Sequence, residues 1–402
     1  ECKEGKCQRT APFSFGIFFK QFRWLTCRVP NPTFGKPFNP QDPNSQKDPR
    51  THILSPFKHH RLNIIFFSAT ITSLFCLLTH LVGEDLAFLA TALFAVHPLG
   101  VQTVCWISGI GYVIALFFDS LALNYAVAHA SSWIHLSIYG LLHWLAGETV
   151  FVVVGSWLIL ALLGLWHYAI VSLLLSLNTC FKTFKESVGT RIRIFEEQQM
   201  GYSAKFHAKK IVVVGKVIAY YTKLILFPKR MGLYHKFGYH YEMPMIEEED
   251  RYFWVGVGLV GLSIAGLILA PFPVKLGIVI LYAFLVLFMD WIVVHQFVSE
   301  RYAWIASLGM CLIASYYLIP YPWTYWAIWG VALMRTWAHI PTYKNELAFY
   351  ESNIWNFPDS EVAMGNLGVI QLKYGFPGSA METWMKGAST NPEYDVNWYN
   401  LY

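Results

Sequence analysis

Runs of about 20 apolar residues recur along this 402-residue chain, and no other feature limits its fold so tightly. As a helix, such a run covers roughly 30 Å, the thickness of a bilayer's hydrocarbon. Inside hydrocarbon each backbone N–H and C=O needs a partner within the protein, so these runs predict helices. The clearest are residues 62–82, 109–128, 252–271, 274–294, 302–320 and 322–339. Shorter apolar pieces lie at 86–96 and 133–145, and the uncharged run 149–180 has room for a tilted crossing plus a short return. The prediction is an all-α fold: a polytopic helical membrane bundle of about nine crossings or half-crossings. Composition agrees, with 55% hydrophobic and only 14% charged residues, against about 25% charged in soluble domains.

Around these runs the chain divides into five stretches. Residues 1–61 are polar and Pro-rich, 62–180 form a first membrane bundle, and 181–251 hold a basic amphipathic segment and a polar loop. Residues 252–340 form a second bundle, and 341–402 are a helical end unlike the rest. In that end, Asn366-Leu367-Gly368, Tyr374-Gly375, Ala380, Trp384 and Asn391-Pro392 fall at the spacing of a tetratricopeptide (TPR) hairpin. Pro358 and Pro392 are 34 residues apart, the TPR period. A second unit starts at Val396-Asn397-Trp398. One repeat cannot bury its own apolar face, so Asn366, Leu367, Tyr374, Trp384 and Trp398 are the residues expected to dock a protein partner.

Residues 182–230 carry eleven Lys and Arg against three Glu, which suits a solvated stretch under the positive-inside rule. Within it Lys209, Lys216, Lys223 and Arg230 recur every seven residues beside Ile211-Val212-Val213-Val214 and Leu224-Ile225-Leu226. That pattern predicts an amphipathic helix whose basic stripe meets lipid headgroups. No soluble basic domain accompanies it, so nucleic acid is not an expected partner. Of the seven cysteines, Cys76, Cys105, Cys180 and Cys311 lie in or near apolar runs and read as core residues.

Three further motifs precede the helical end in a fixed order. They are Leu93-Phe94-Ala95-Val96-His97-Pro98 followed by Val104-Cys105-Trp106, then Gly147-Glu148-Thr149-Val150, then Val298-Ser299-Glu300-Arg301-Tyr302. With the TPR end behind them, they resemble the transmembrane and TPR repeat-containing proteins, which are similar to O-mannosyltransferases of the GT-C glycosyltransferase class. The resemblance covers roughly residues 60–402. It implies transfer of a sugar from a polyprenyl-phosphate donor to a protein Ser or Thr. A loop carboxylate would act as base, and basic groups or a divalent cation would steady the leaving phosphate. It also implies an endoplasmic reticulum or bacterial inner membrane. The sequence departs from the family where its acidic pair belongs: ahead of the first long run only Asp42 and Asp48 are available, in a Pro-rich loop.

Each candidate has two readings. His97, Trp106, Glu148, Glu300 and Arg301 line a substrate and phosphate site, or they are interfacial and ion-pairing residues of the bundle. Asp119 and Asp290 sit inside apolar runs, where acids are functional candidates or pair with a Tyr or a backbone group. No metal-ligand spacing is evident. The chain is therefore expected to be a GT-C-like glycosyltransferase. The alternative is a non-catalytic membrane scaffold or accessory subunit of a larger complex, docking partners through its TPR end and bundle.

Overall fold

The computed structural model describes residues 56–106, 109–146, 150–183, 205–232, 250–289, 300–392 and 395–401. All regular structure among them is helical. The first half contains α1 (Pro56–Val82), α2 (Glu84–Ala95), α3 (Gly100–Cys105), α4 (Ile110–Ala128), α5 (Trp133–Ala146), α6 (Val150–Leu162) and α7 (Trp166–Thr183). Then come α8 (Lys205–Leu226), α9 (Asp250–Leu269), α10 (Phe272–Met289), α11 (Glu300–Leu318) and α12 (Pro322–His339). A 3-10 turn, Ile340–Tyr343, leads to α13 (Glu346–Asn356), α14 (Glu361–Lys373), α15 (Pro377–Thr390) and α16 (Asp395–Leu401).

The all-helical expectation holds, and among the described residues fewer spans are found than the nine or so expected. Among the described residues three helical segments are long and apolar enough to cross a membrane: His60–Val82, Ile110–Ala128 and Arg251–Leu269. Shorter apolar segments are Trp166–Leu177, Phe272–Tyr282 and Ala303–Leu318. Some expected segments are too short, and others, such as the 18-residue α12, are long enough but not apolar enough. The 12 residues of α2 rise only about 18 Å. The uncharged run at 149–180 breaks at Gly164, whose φ of 73° is a backbone shape that glycine adopts readily; α6 and α7 then pack against each other.

One continuous core joins α1, α2, α4, α10 and α11 around Phe94, Leu78, Leu276, Trp304 and Leu312. Helices α10 and α11 pack extensively against each other. They cross backbone to backbone at Gly277 and Gly309: a Cβ on either would collide with the carbonyl oxygen of the other. Helix α12 is tied along α2 by three side chains that donate to its carbonyls or to the one just beyond it. These are Tyr325 to Leu89 at 2.6 Å, Trp329 to Ala92 at 3.1 Å and Thr336 to Val96 at 2.7 Å. Burial differs among the cysteines assigned to the core: Cys311 is buried and Cys105 half-buried, but Cys76 is exposed.

The C-terminal helices are capped where their sequence provides for it. Asn345 accepts from the Ala348 N–H, and Ser360 from that of Ala363, each satisfying an open donor of a first turn. A tight turn with Gly375 at φ 85° joins α14 to α15. Trp384 lies over Gly368, where any Cβ would strike the indole, and donates to the Gly365 carbonyl at 3.0 Å.

Gly309→Val should cost about 1–3 kcal/mol by overpacking and lower the melting temperature of the detergent-solubilised protein. Gly258→Ala, where a Cβ meets nothing within 4 Å, should leave it unchanged or slightly raised. Equal effects of the two substitutions would contradict the crossing described here.

Candidate functional site

Residues of the first and third motifs gather where several helices of the bundle begin or end. Glu300 opens α11 with its carboxylate fully buried. One oxygen accepts the N–H of Gly232, just beyond α8, and the other lies 3.7 Å from His339 Nε2 at the end of α12. The adjacent Arg301 N–H donates to Gln102 Oε1 on α3 at 2.7 Å. His97, between α2 and α3, donates from Nε2 to the Ile225 carbonyl on α8 at 3.0 Å and accepts the Leu99 N–H at Nδ1. A carbonyl can only accept, which fixes that tautomer. Trp106 sets its ring edge-on to Phe349 of α13 at 4.9 Å and to Tyr343 at 6.5 Å. Asn63 of α1 donates to the Val104 carbonyl at 2.9 Å.

The same cluster connects the bundle to the C-terminal helices. Asn356 of α13 donates to the Met231 carbonyl at 2.9 Å, beside the Gly232 that holds Glu300. Phe349 and Tyr350 of α13 pack with Leu367 and Ile370 of α14, and Trp106 and Tyr343 pack onto that core. Tyr343 touches His339 as well, ring centroids 5.4 Å apart. Burial, with the Glu300 charge beside it, holds the Tyr343 hydroxyl well above the ordinary phenol range. Burial also pushes the Cys105 thiol up to about 11, which leaves it a poor nucleophile. His97 moves the other way: burial lowers it to about 4, against the Ile225 bond that favours its proton.

His97, Trp106, Glu300 and Arg301 are thus brought together, each in contact with protein partners. Glu148, Asp42, Asp48 and Asp290 lie outside the described residues, as does the side chain of Lys209. Lys216 is buried, while Lys223 and Arg230 are exposed. The stripe therefore runs from the protein interior to its surface, because burial changes along the axis of α8. Lys223 donates to the Tyr252 hydroxyl at 2.8 Å and lies over that ring. Of the docking candidates, Leu367 and Trp384 are buried within the hairpin, and Asn366 donates to the Val362 carbonyl of its own helix. Tyr374 and Trp398 are exposed.

A second polar cluster lies inside the first half. Asp119 of α4 meets His143 of α5 at 3.0 Å and Ser156 of α6 at 2.5 Å, and His143 meets Ser172 of α7 at 2.9 Å. The sequence marked Asp119 as needing a partner and suggested a Tyr or a backbone group. The partners are instead a histidine and a serine on later helices, which only tertiary packing selects. Among the described residues no three His, Cys, Asp or Glu gather as a metal site.

The chain matches no protein-family model, and comparisons with curated proteins and with solved structures return no match.

For His97, the unfolded chain takes up a proton near pH 6.5 and the folded protein only near 4. Folding is therefore favoured above about 6.5 and loses up to about 3 kcal/mol as pH falls through that window. The melting temperature should drop from pH 6.5 to 4, and His97→Gln should flatten the slope. An unchanged slope in the variant would contradict the burial argument.

Proposed function

We propose that this chain is a multi-pass membrane subunit that presents a TPR-like helical end to a protein partner. Support for the membrane begins with α9. Only 6% of the apolar window in Arg251–Leu269 is buried, and Trp254, Leu262, Ile268 and Leu269 are each more than two-thirds exposed. At about 25 cal/mol per Å² of apolar surface, water is a poor solvent for such a helix and lipid a good one. Helix α12 likewise exposes Trp323, Met334 and Trp337, which suits an interfacial belt.

The observation that carries the docking reading is the role of the motif residues. Glu300 and His97 hold backbone groups of residues 225–232, Trp106 packs on α13, and so the cluster couples the bundle to the C-terminal helices. Tyr374 and Trp398 are then held on a supported surface, exposed and aromatic, as partner hot spots often are. The spacing of Gly368, Gly375, Ala380 and Trp384 favours a TPR unit.

A second reading remains: a GT-C-like transferase using a polyprenyl-phosphate sugar. It is favoured by the convergence of His97, Trp106, Glu300 and Arg301 where several helices of the bundle begin or end. In that reading Arg301 takes the phosphate and the carboxylate of Asp42 or Asp48 takes the acceptor's proton.

Purification from the native membrane separates the two readings. Docking predicts a stoichiometric partner that is lost at least about tenfold, the effect of 1.4 kcal/mol, from a Tyr374→Ala, Trp398→Ala double variant whose melting temperature is unchanged. Sugar transfer from a polyprenyl-phosphate donor by the wild type, abolished in Arg301→Ala, would instead establish the transferase.

A further inference from the structure

The polar cluster of α4 to α7 has a direction. Asp119, His143, Ser156 and Ser172 are all buried, none more than 1% exposed. A carboxylate accepts, so His143 Nδ1 carries the proton directed at Asp119 Oδ1 over 3.0 Å. Nε2 is then an acceptor, and the Ser172 hydroxyl donates to it at 2.9 Å. Ser156 donates to the second Asp119 oxygen at 2.5 Å, which fixes the plane of the carboxylate. Carboxylate, imidazole and hydroxyl in this order, with protons so placed, are what a base-activated serine requires.

A further donor stands beside that hydroxyl. Tyr139, one turn before His143 on α5, stacks on the imidazole with ring centroids 5.4 Å apart. Its hydroxyl lies next to that of Ser172. A phenol donor held next to a nucleophile is placed to meet a developing oxyanion.

We propose that Ser172 is the nucleophile of an acyl-transfer centre within the bundle, with His143 as general base, Asp119 as the residue positioning it and Tyr139 as oxyanion donor. The substrate class is the carboxylic ester of an apolar chain. Ile170, Leu174 and Leu177 on α7 and Ile138 and Leu141 on α5 are exposed and apolar around the buried centre, and a leucine-lined cavity adjoins Asp119. Helices α5 and α7 approach at Gly140 and Val171 and part to admit the chain. Ser172 Oγ bonds to the ester carbonyl carbon as its proton passes to His143 Nε2. The tetrahedral oxyanion collapses, the C–O bond to the alcohol breaks, and the alcohol leaves with that proton. Water repeats the sequence on the acyl-serine, releasing a carboxylic acid and restoring Ser172.

This centre is separate from the docking surface, so its failure would leave the docking reading intact. The test uses the full chain in lipid vesicles and a long-chain alkyl fluorophosphonate, with adducts mapped by peptide mass spectrometry. The expected result is a single adduct at Ser172 in the wild type. Its rate should fall at least about 100-fold in His143→Gln and in Asp119→Asn, the scale of a general base's contribution. Hydrolysis of a long-chain p-nitrophenyl ester should fall in parallel. Circular dichroism melting of each variant identifies any that merely fail to fold. No adduct at Ser172 in the folded wild type, or equal labelling of a folded His143→Gln variant, would overturn the proposal and make the cluster a packing network only.

Discussion

A carboxylate withdrawn from water must be compensated, and at Glu300 the compensation ties together three distant parts of the chain. An isolated buried charge costs several kcal/mol; the Gly232 N–H and the nearby His339 supply the opposing dipole and cation-capable partner. Residues 231–232 are thereby held against the start of α11. The end of α12 is brought to the same place, and α12 in turn is bonded along α2. With residues 231–232 fixed, Asn356 anchors α13 through the Met231 carbonyl. The C-terminal helices then build outward from α13 to α14, α15 and α16.

The two polar clusters solve one problem in different ways. Near the C-terminal helices, charged and polar groups are satisfied largely by backbone: the Gly232 N–H, the Ile225 carbonyl and the Arg301 N–H. Between α4 and α7 the groups are satisfied by other side chains, Asp119 through His143 and Ser156. Backbone partners hold a joint in one arrangement. A chain of side chains also moves protons, because imidazole and hydroxyl both donate and accept. The first cluster suits coupling, and the second suits chemistry.

Much of the helical architecture was legible in the sequence, because apolar runs of bilayer length leave the backbone one economical solution. The runs at 62–82, 109–128 and 252–271 became α1, α4 and α9 with ends shifted by a few residues. A helical hairpin over α14 and α15 was legible from Gly375 at its turn and from small Gly368 and Ala380, but that Trp384 is what lies over Gly368 was not. What sequence could not supply were partners brought together by folding. Gln102 and Arg301 are 199 positions apart, and His97 and Ile225 are 128 apart. Heptad spacing set Lys216 and Lys223 on one face of α8 but carried no information on how deep each lies. An aspartate in an apolar run announced a partner without naming His143.

The central claim is that the Glu300 joint holds the C-terminal helices against the bundle. Spin labels at exposed Ser131 and exposed Glu382, each carried on a genetically encoded ketone amino acid so that native cysteines such as exposed Cys76 stay unlabelled, report the distance between them in lipid vesicles by pulsed dipolar spectroscopy. The account predicts one narrow distance distribution in the otherwise wild-type protein and a broad one when Glu300→Ala is added. A broad distribution before that substitution, or a narrow one that survives it, would contradict the account.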